Sequence, residues 1–205
     1  MNNVLIEVIK NTFGENKLFS FDEIPNGKAS SKFHQSDIKD LVSSGLIKRH
    51  SYGLYYLPGK RLSNEPSVAD AVERAFIHDS KKVFGFYGDN SYLFVLLKKI
   101  PSNEIVVYSN KATSGKKNIF RFGQRITVKK PYYHVTGENA TLNGFLTYLT
   151  TSPFATVERD YSLLANYIRL EHFAAQDVLD LLPSFPSKTA DKLLKSGLYK
   201  CLWKH

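Results

Sequence analysis

Four residues near the amino end, Lys32, Gln35, Ser36 and Lys39, recur at the three- and four-residue spacing that puts side chains on one side of a helix. Their chemistry is that of base-edge readers. Gln pairs with adenine N6 and N7, Lys reaches guanine O6 and N7, and Ser bonds to several base edges. Lys28, Lys48, Arg49 and Tyr52 flank them and suit phosphate or minor-groove contacts. Residues 28–61 hold seven Lys or Arg against Asp37 and Asp40, which concentrates positive charge where such contacts would be made. A polar helix face is more often simply solvated, so the weight rests on the order in which these features arrive. His34 sits towards the docking side of the helix and is expected to be half-buried or locally hydrogen-bonded.

A second basic run is denser. Lys98, Lys99, Lys111, Lys116, Lys117, Arg121, Arg125, Lys129 and Lys130 are accompanied by one acid, Glu104. Three readings are open: a second surface for flanking DNA phosphates, a docking face for an acidic protein or RNA, or solvated strand edges protected by lysine. Lys117–Phe122 alternates basic and aromatic residues but lacks the glycine and spaced aromatics of a ribonucleoprotein strand.

Catalytic patterns are wanting. Gly59-Lys60 would need glycine at the position of Leu54 to make a phosphate loop. There is no Gly-x-Ser-x-Gly elbow. The histidines (34, 50, 78, 134, 172 and 205) are scattered, and the single Cys201 supplies no zinc pattern and is expected to pack. A metal nuclease would need clustered carboxylates. Glu15-x-Lys17 and Asp37-x-Lys39 fall on a loop and on the polar helix, the strands offer Glu104 with Asp89 upstream, and Glu158-Arg159 reads as a structural ion pair. No catalysis, metal or cofactor is expected.

The elements that must position these residues follow from periodicity and punctuation. Asn3 caps a helix through Ile9, and Ser20-Phe-Asp-Glu23 is a capping box stopped by Pro25. A third helix is predicted over Ser31–Ser44, docking through Ile38, Leu41 and Val42 and closed by Gly45. Leu46–His50 and Leu54–Leu57 form a hairpin turning at Ser51-Tyr52-Gly53. Pro58–Pro66 reads as a linker, so domains are expected at 1–60 and 61–205. Beyond it come a helix capped by Ser67, strands at 83–87, 104–108, 119–122 and 125–128 with a turn at Gly123-Gln124, and a short helix at Ser91–Leu97. Helices at Thr141–Leu149, Val157–Phe173, Ala175–Leu182 and Ser187–Leu194 close the chain. The fold class expected is α/β (α+β): a winged helix-turn-helix followed by a mixed α/β domain with a helical C-terminal part.

The chain of 205 residues is 42% hydrophobic and 23% charged, a globular composition. Its net charge is +9, divided as +2 over residues 1–66, +6 over 67–150 and +1 over 151–205. The excess favours a polyanion or an acidic partner. The first apolar stretch is broken at Glu7, no run approaches a membrane span, and one cysteine makes no internal disulfide, so a cytoplasmic location and no membrane partner are expected.

The run Ile38-x-x-Leu41-Val42-x-x-Gly45-Leu46-Ile47-Lys48-Arg49-(x)3-Gly53-x-Tyr55-Tyr56-x-Pro58 resembles the amino-terminal winged helix of the AbiE-type abortive-infection antitoxins. The resemblance continues through Gly88-(x)3-Tyr92-Leu93, Ile100-Pro101, Val106-Val107-Tyr108-Ser109, Ile119–Val128 and Ala155–Arg159, and departs at Asp160-Tyr161-Ser162. It covers roughly residues 15–165 at the level of a motif match. It implies a phage-defence antitoxin that represses its own operon at promoter inverted repeats. It also implies opposition to a co-encoded nucleotidyltransferase toxin in the type IV manner, without a stable complex. The alternatives are a winged-helix regulator with no toxin partner, whose second domain senses a ligand or oligomerises, and an RNA-binding or nuclease protein built on the central basic strands.

Overall fold

The computed structural model describes residues 2–25, 33–51, 53–59, 65–79, 81–89, 104–113, 116–121 and 124–203. It is an α+β fold of helices and two small sheets, divided into two compact units, Met1–Ala75 and Phe76–His205.

Unit 1 runs α1 (Asn2–Phe13), β1 (Phe19–Ser20), a 3-10 turn (Phe21–Glu23), α2 (Gln35–Ser43), β2 (Lys48–Arg49) and β3 (Leu54–Tyr56). β3 pairs antiparallel with both other strands, giving the order β1-β3-β2. Leu5, Ile9, Phe19, Ile38, Leu41 and Ile47 are fully buried among these elements, each stabilising the unit by about 1.5–3 kcal/mol. The Glu23 carboxylate accepts the Ser20 N–H at 2.8 Å, as the capping box requires, and the turn then ends at Ile24.

α2 begins at Gln35, later than the sequence suggests, because His34 serves as its cap and donates its N–H to the Asp37 carboxylate at 2.7 Å. His34 is thus locally bonded as expected, but exposed. The other end is a Schellman motif. Gly45 takes φ +73°, Leu46 N–H donates to the Leu41 carbonyl and Gly45 N–H to that of Val42, both at 3.0 Å. At the hairpin Gly53 has φ +74°, and Leu54 N–H donates to the Ser51 carbonyl at 3.0 Å.

α3 (Val68–Phe76) opens on reciprocal bonds between Ser67 and Asp70 and buries Ala71 and Val72. Arg74 on α3 is ion-paired with Glu23. The compact unit that holds Glu23 runs on through Ala75 and so includes most of α3.

In unit 2, β4 (Gly85–Tyr87), β5 (Glu104–Ser109), β6 (Lys116–Arg121) and β7 (Gln124–Lys129) form a sheet in the order β4-β5-β7-β6. β5 and β7 are parallel, and the other pairs are antiparallel. Gln124 pairs with Arg121, so it belongs to the ladder and not to the expected Gly123-Gln124 turn. Ile105 to Ser109 are buried without alternation, the pattern of a strand covered on both faces. α4 (Ala140–Thr151) packs on β4.

α5 (Phe154–Arg159), α6 (Tyr161–Leu170), α7 (Ala175–Leu181) and α8 (Ser187–Lys195) close a second core around Leu146, Leu149, Leu164, Ile168 and Val178. The single helix expected over Val157–Phe173 is broken at Asp160, whose carboxylate accepts the Tyr148 hydroxyl at 3.0 Å and the Arg159 guanidinium at 3.0 and 3.1 Å. Burial pushes the Tyr148 pKa up to about 12. Cys201 is half-buried against this core. The expected helix at Ser91–Leu97 lies outside the described residues.

Candidate nucleic-acid interface

The polar side of α2 and strand β2 meet at one cavity of about 730 Å³ within unit 1. Gln35, Lys39, Val42 and Ser43 line it from α2, following the helical repeat along one ridge, and Arg49 and Tyr55 line it from the hairpin. Docking of Ile38 and Leu41 into the core turns this ridge outward, and the Schellman turn carries the chain directly into β2. Cross-strand pairing sets Arg49 opposite Tyr55. Gln35, Lys39 and Arg49 are all exposed, so a fork donor, an ammonium and an amide share one concave surface. Asp22 also lines the cavity. A carboxylate there opposes phosphate but can accept from cytosine N4. Sequence reasoning missed it because nothing in the Ser20–Glu23 capping pattern distinguishes its second residue.

The remaining expected residues are placed differently. Ser36 is exposed but does not line the cavity, lying about 100° round the helix from Gln35. Lys48 and Arg49 are consecutive on a strand and leave on opposite faces. Lys48 Nζ lies 2.5 Å from Glu65 Oε1. That hydrogen bond raises the pKa of Lys48 and lowers that of Glu65, so each holds the other charged. His50 hydrogen-bonds Ser51 at 2.9 Å through Nδ1 and meets Tyr56 edge-on. The basic run Lys48–His50 is therefore split, and of its three residues Arg49 lines the cavity with α2. Lys28, Lys32 and Tyr52 lie outside the described residues.

Of the second basic run, the side chains of Lys111, Arg125, Lys129 and Lys130 are described, and their surroundings differ. Lys129 is ion-paired with Asp89, and its Nζ lies 3.4 Å from the Tyr108 hydroxyl. Burial, with Asp89 beside it, pushes the Tyr108 pKa well above the ordinary range. Arg125 is exposed four residues earlier on β7, about 13 Å along the strand. Lys130 is exposed just past the strand end. Lys116 and Arg121 terminate the edge strand β6, with Lys117 opposite Val128. Lys111 belongs to a separate cavity, with its Nζ 3.7 Å from the centre of the Phe84 ring. Lys98 and Lys99 lie outside the described residues.

The carboxylates weighed for a nuclease also have local duties. Asp37 is buried and caps α2, and Glu104 accepts the Thr127 hydroxyl at 3.1 Å. The ion pair expected of Glu158-Arg159 is made instead by Arg159 and Asp160. Among the described residues no group of three or more His, Cys, Asp or Glu is arranged to hold a metal, and no helix is long and apolar enough to cross a membrane.

Comparison of the chain with protein-family models, with curated proteins and with solved structures returns no match, so the functional reading rests on this geometry and on the motif resemblance.

Proposed function

We propose that the protein is a DNA-binding repressor of its own promoter, whose first unit is a winged helix, and that it serves as the antitoxin against a co-encoded nucleotidyltransferase in the cytoplasm. The observation that carries the DNA reading is the convergence of Gln35, Lys39 and Arg49 on one exposed concavity. α2 has the docking face and the outward polar ridge of a recognition helix. The strand order β1-β3-β2 supplies a hairpin beside it that brings Arg49 to the backbone. The antitoxin role draws on the resemblance of residues 15–165 and on the presence of a second folded unit beyond the DNA reader.

The test is titration of the chain against the promoter upstream of its own reading frame and against a shuffled duplex. Gln35→Ala should lower promoter preference by about 1–3 kcal/mol, and wild-type affinity should fall about a thousandfold from roughly 50 to 200 mM salt if about six phosphates are neutralised. A flat salt response removes nucleic acid as the partner. Failure to restore growth when co-expressed with an adjacent nucleotidyltransferase leaves a repressor without the antitoxin role.

A further inference from the structure

Divided where the structure divides, the net charge of +9 falls as +1 on unit 1 and +8 on unit 2. A cavity of about 1010 Å³ in unit 2 opens at the sheet edge where β5 and β7 end and β4 begins. In sheets with parallel strands, the crevice outside the carboxyl ends is where ligands bind. Here the segments that follow both parallel strands line it: Asn110 and Lys111 after β5, and residues 134–138 after β7.

The walls are built rather than incidental. The Asn110 side chain donates to the Val135 carbonyl at 2.8 Å and accepts the Val135 N–H at 3.0 Å, pinning the 134–138 segment across the end of β5. On the other side, the turn from His78 to Val83 is closed by a β-bridge between those two residues. Asp79 Oδ1 accepts the backbone N–H groups of Lys81 and Lys82 at 2.9 and 3.0 Å, which sets two consecutive lysines at the rim. Lys111 stands over the Phe84 ring, held by a cation–π contact. Three ammonium groups from two separate segments thus line one cavity, with His78 and His134 in its walls and Asp79 and Glu138 as its acids.

The geometry points to a nucleoside polyphosphate site. The volume lies at the upper end of the roughly 300–1,000 Å³ typical of small-ligand pockets. Lysine ammonium groups are point-charge phosphate binders, and three lysines against two acids leave the lining net positive. Val83, half-buried, gives the cavity apolar surface for a base, and Glu138 can accept from ribose hydroxyls as an acid does in dinucleotide sites. The site is separate from the DNA-reading surface and does not depend on it.

The experiment is calorimetric titration of the full chain with ATP and, separately, with pyrophosphate at about 0.1 M salt, where long-range surface attraction is largely screened. Saturable binding of one ATP per chain is expected. Lys82→Ala and Lys111→Ala should each weaken ATP and pyrophosphate alike by about tenfold, the loss of one charge-assisted contact. Glu138→Gln should weaken ATP while sparing pyrophosphate, and Lys188→Ala, on the exposed side of α8, should change neither. Circular dichroism verifies that each variant is folded. Absence of saturable binding by folded protein up to about 1 mM ATP, GTP or pyrophosphate overturns the site, as does equal loss in Lys188→Ala. A 5′-phosphorylated single-stranded oligonucleotide that binds more tightly than ATP, with the same lysine dependence, would reassign the cavity to nucleic acid.

Discussion

Lys48 and Arg49 are neighbours with the same charge, and replacing each by Gln separates the proposed DNA surface from the rest of the wing. Arg49 is exposed at the cavity shared with Gln35 and Lys39, whereas Lys48 leaves the opposite face of β2 and is held by Glu65 at 2.5 Å. Each phosphate neutralised contributes about 0.9 to the slope of log affinity against log salt. If Arg49 holds one phosphate, Arg49→Gln reduces the slope by that amount. A fourfold rise in salt then narrows the gap between variant and wild type by about 3.5-fold. One charge-assisted contact at an exposed site amounts to roughly tenfold in affinity at moderate salt. Lys48→Gln removes a cation on the face away from the cavity and leaves the exposed Glu65 carboxylate to water and salt, so its effect on promoter affinity should stay below about twofold, with the slope unchanged. The assay is fluorescence anisotropy with a labelled promoter duplex at four salt concentrations. Equal slopes for the two variants, or a larger effect from Lys48→Gln, would refute the assignment of the α2 face of the hairpin to DNA.

Further tests address the scaffold. A Cβ at Gly45 would meet nothing within 4 Å, so Gly45→Ala should cost only the backbone strain of a positive φ, about 1–2 kcal/mol in urea unfolding. Gly85→Ala should cost more, because its Cβ would stand 2.1 Å from the Phe76 carbonyl oxygen and 2.5 Å from that of Tyr108. Lys192→Met strips the cation that bonds the Leu149 and Ser152 carbonyls at 2.9 and 2.5 Å at the end of α4, and should lower unit 2 stability by about 1–3 kcal/mol. Asp160 is held below the ordinary carboxylate pKa by its hydrogen bond from Arg159, with Tyr148 adding to it. Its stabilising effect is therefore present above the unfolded value near pH 4 and is lost as pH falls through the folded one. The stability deficit of Asp160→Asn should accordingly be seen at neutral pH and vanish in acid.

Features written in short-range chemistry were readable from the residues alone. Gly45 three residues after Val42 announces the end of α2, and the Ser20–Glu23 box announces its turn, because both are local hydrogen-bond problems with few solutions. What escaped depends on contacts far along the chain. β1 is two residues long, too short to show periodicity, and exists because the edge of β3 accepts it at Tyr55 and Leu54. The break in the expected helix at Asp160 is set by the Tyr148 hydroxyl on another helix. The start of α2 was misplaced because His34 is an uncommon cap, and only the Asp37 carboxylate three residues on reveals it.

Charge behaves in the same way, and that bears on where function lies. Counting placed Lys48, Arg49 and His50 together, but strand alternation and Glu65 leave Arg49 as the member of that run that joins Gln35 and Lys39. Counting likewise singled out residues 98–130 as a dense basic run. Of its described members, Lys129 is ion-paired with Asp89, while Lys111 shares a cavity with Lys81 and Lys82, two lysines outside that run. A net charge of +1 is enough for unit 1 as a DNA reader if its cations are on the correct face, since phosphate neutralisation is counted contact by contact. Most of the excess, +8, lies on unit 2, outside the unit that carries Gln35, Lys39 and Arg49. The three lysines at the end of its sheet offer a specific use for part of it: the proposed anionic ligand bound on the second unit, beside the promoter binding proposed for the first. Coupling between them would make repression ligand-dependent, and reciprocity requires that promoter DNA shift ATP affinity by the same factor as ATP shifts promoter affinity. Equal ATP affinities with and without the promoter duplex would show two independent sites on one chain.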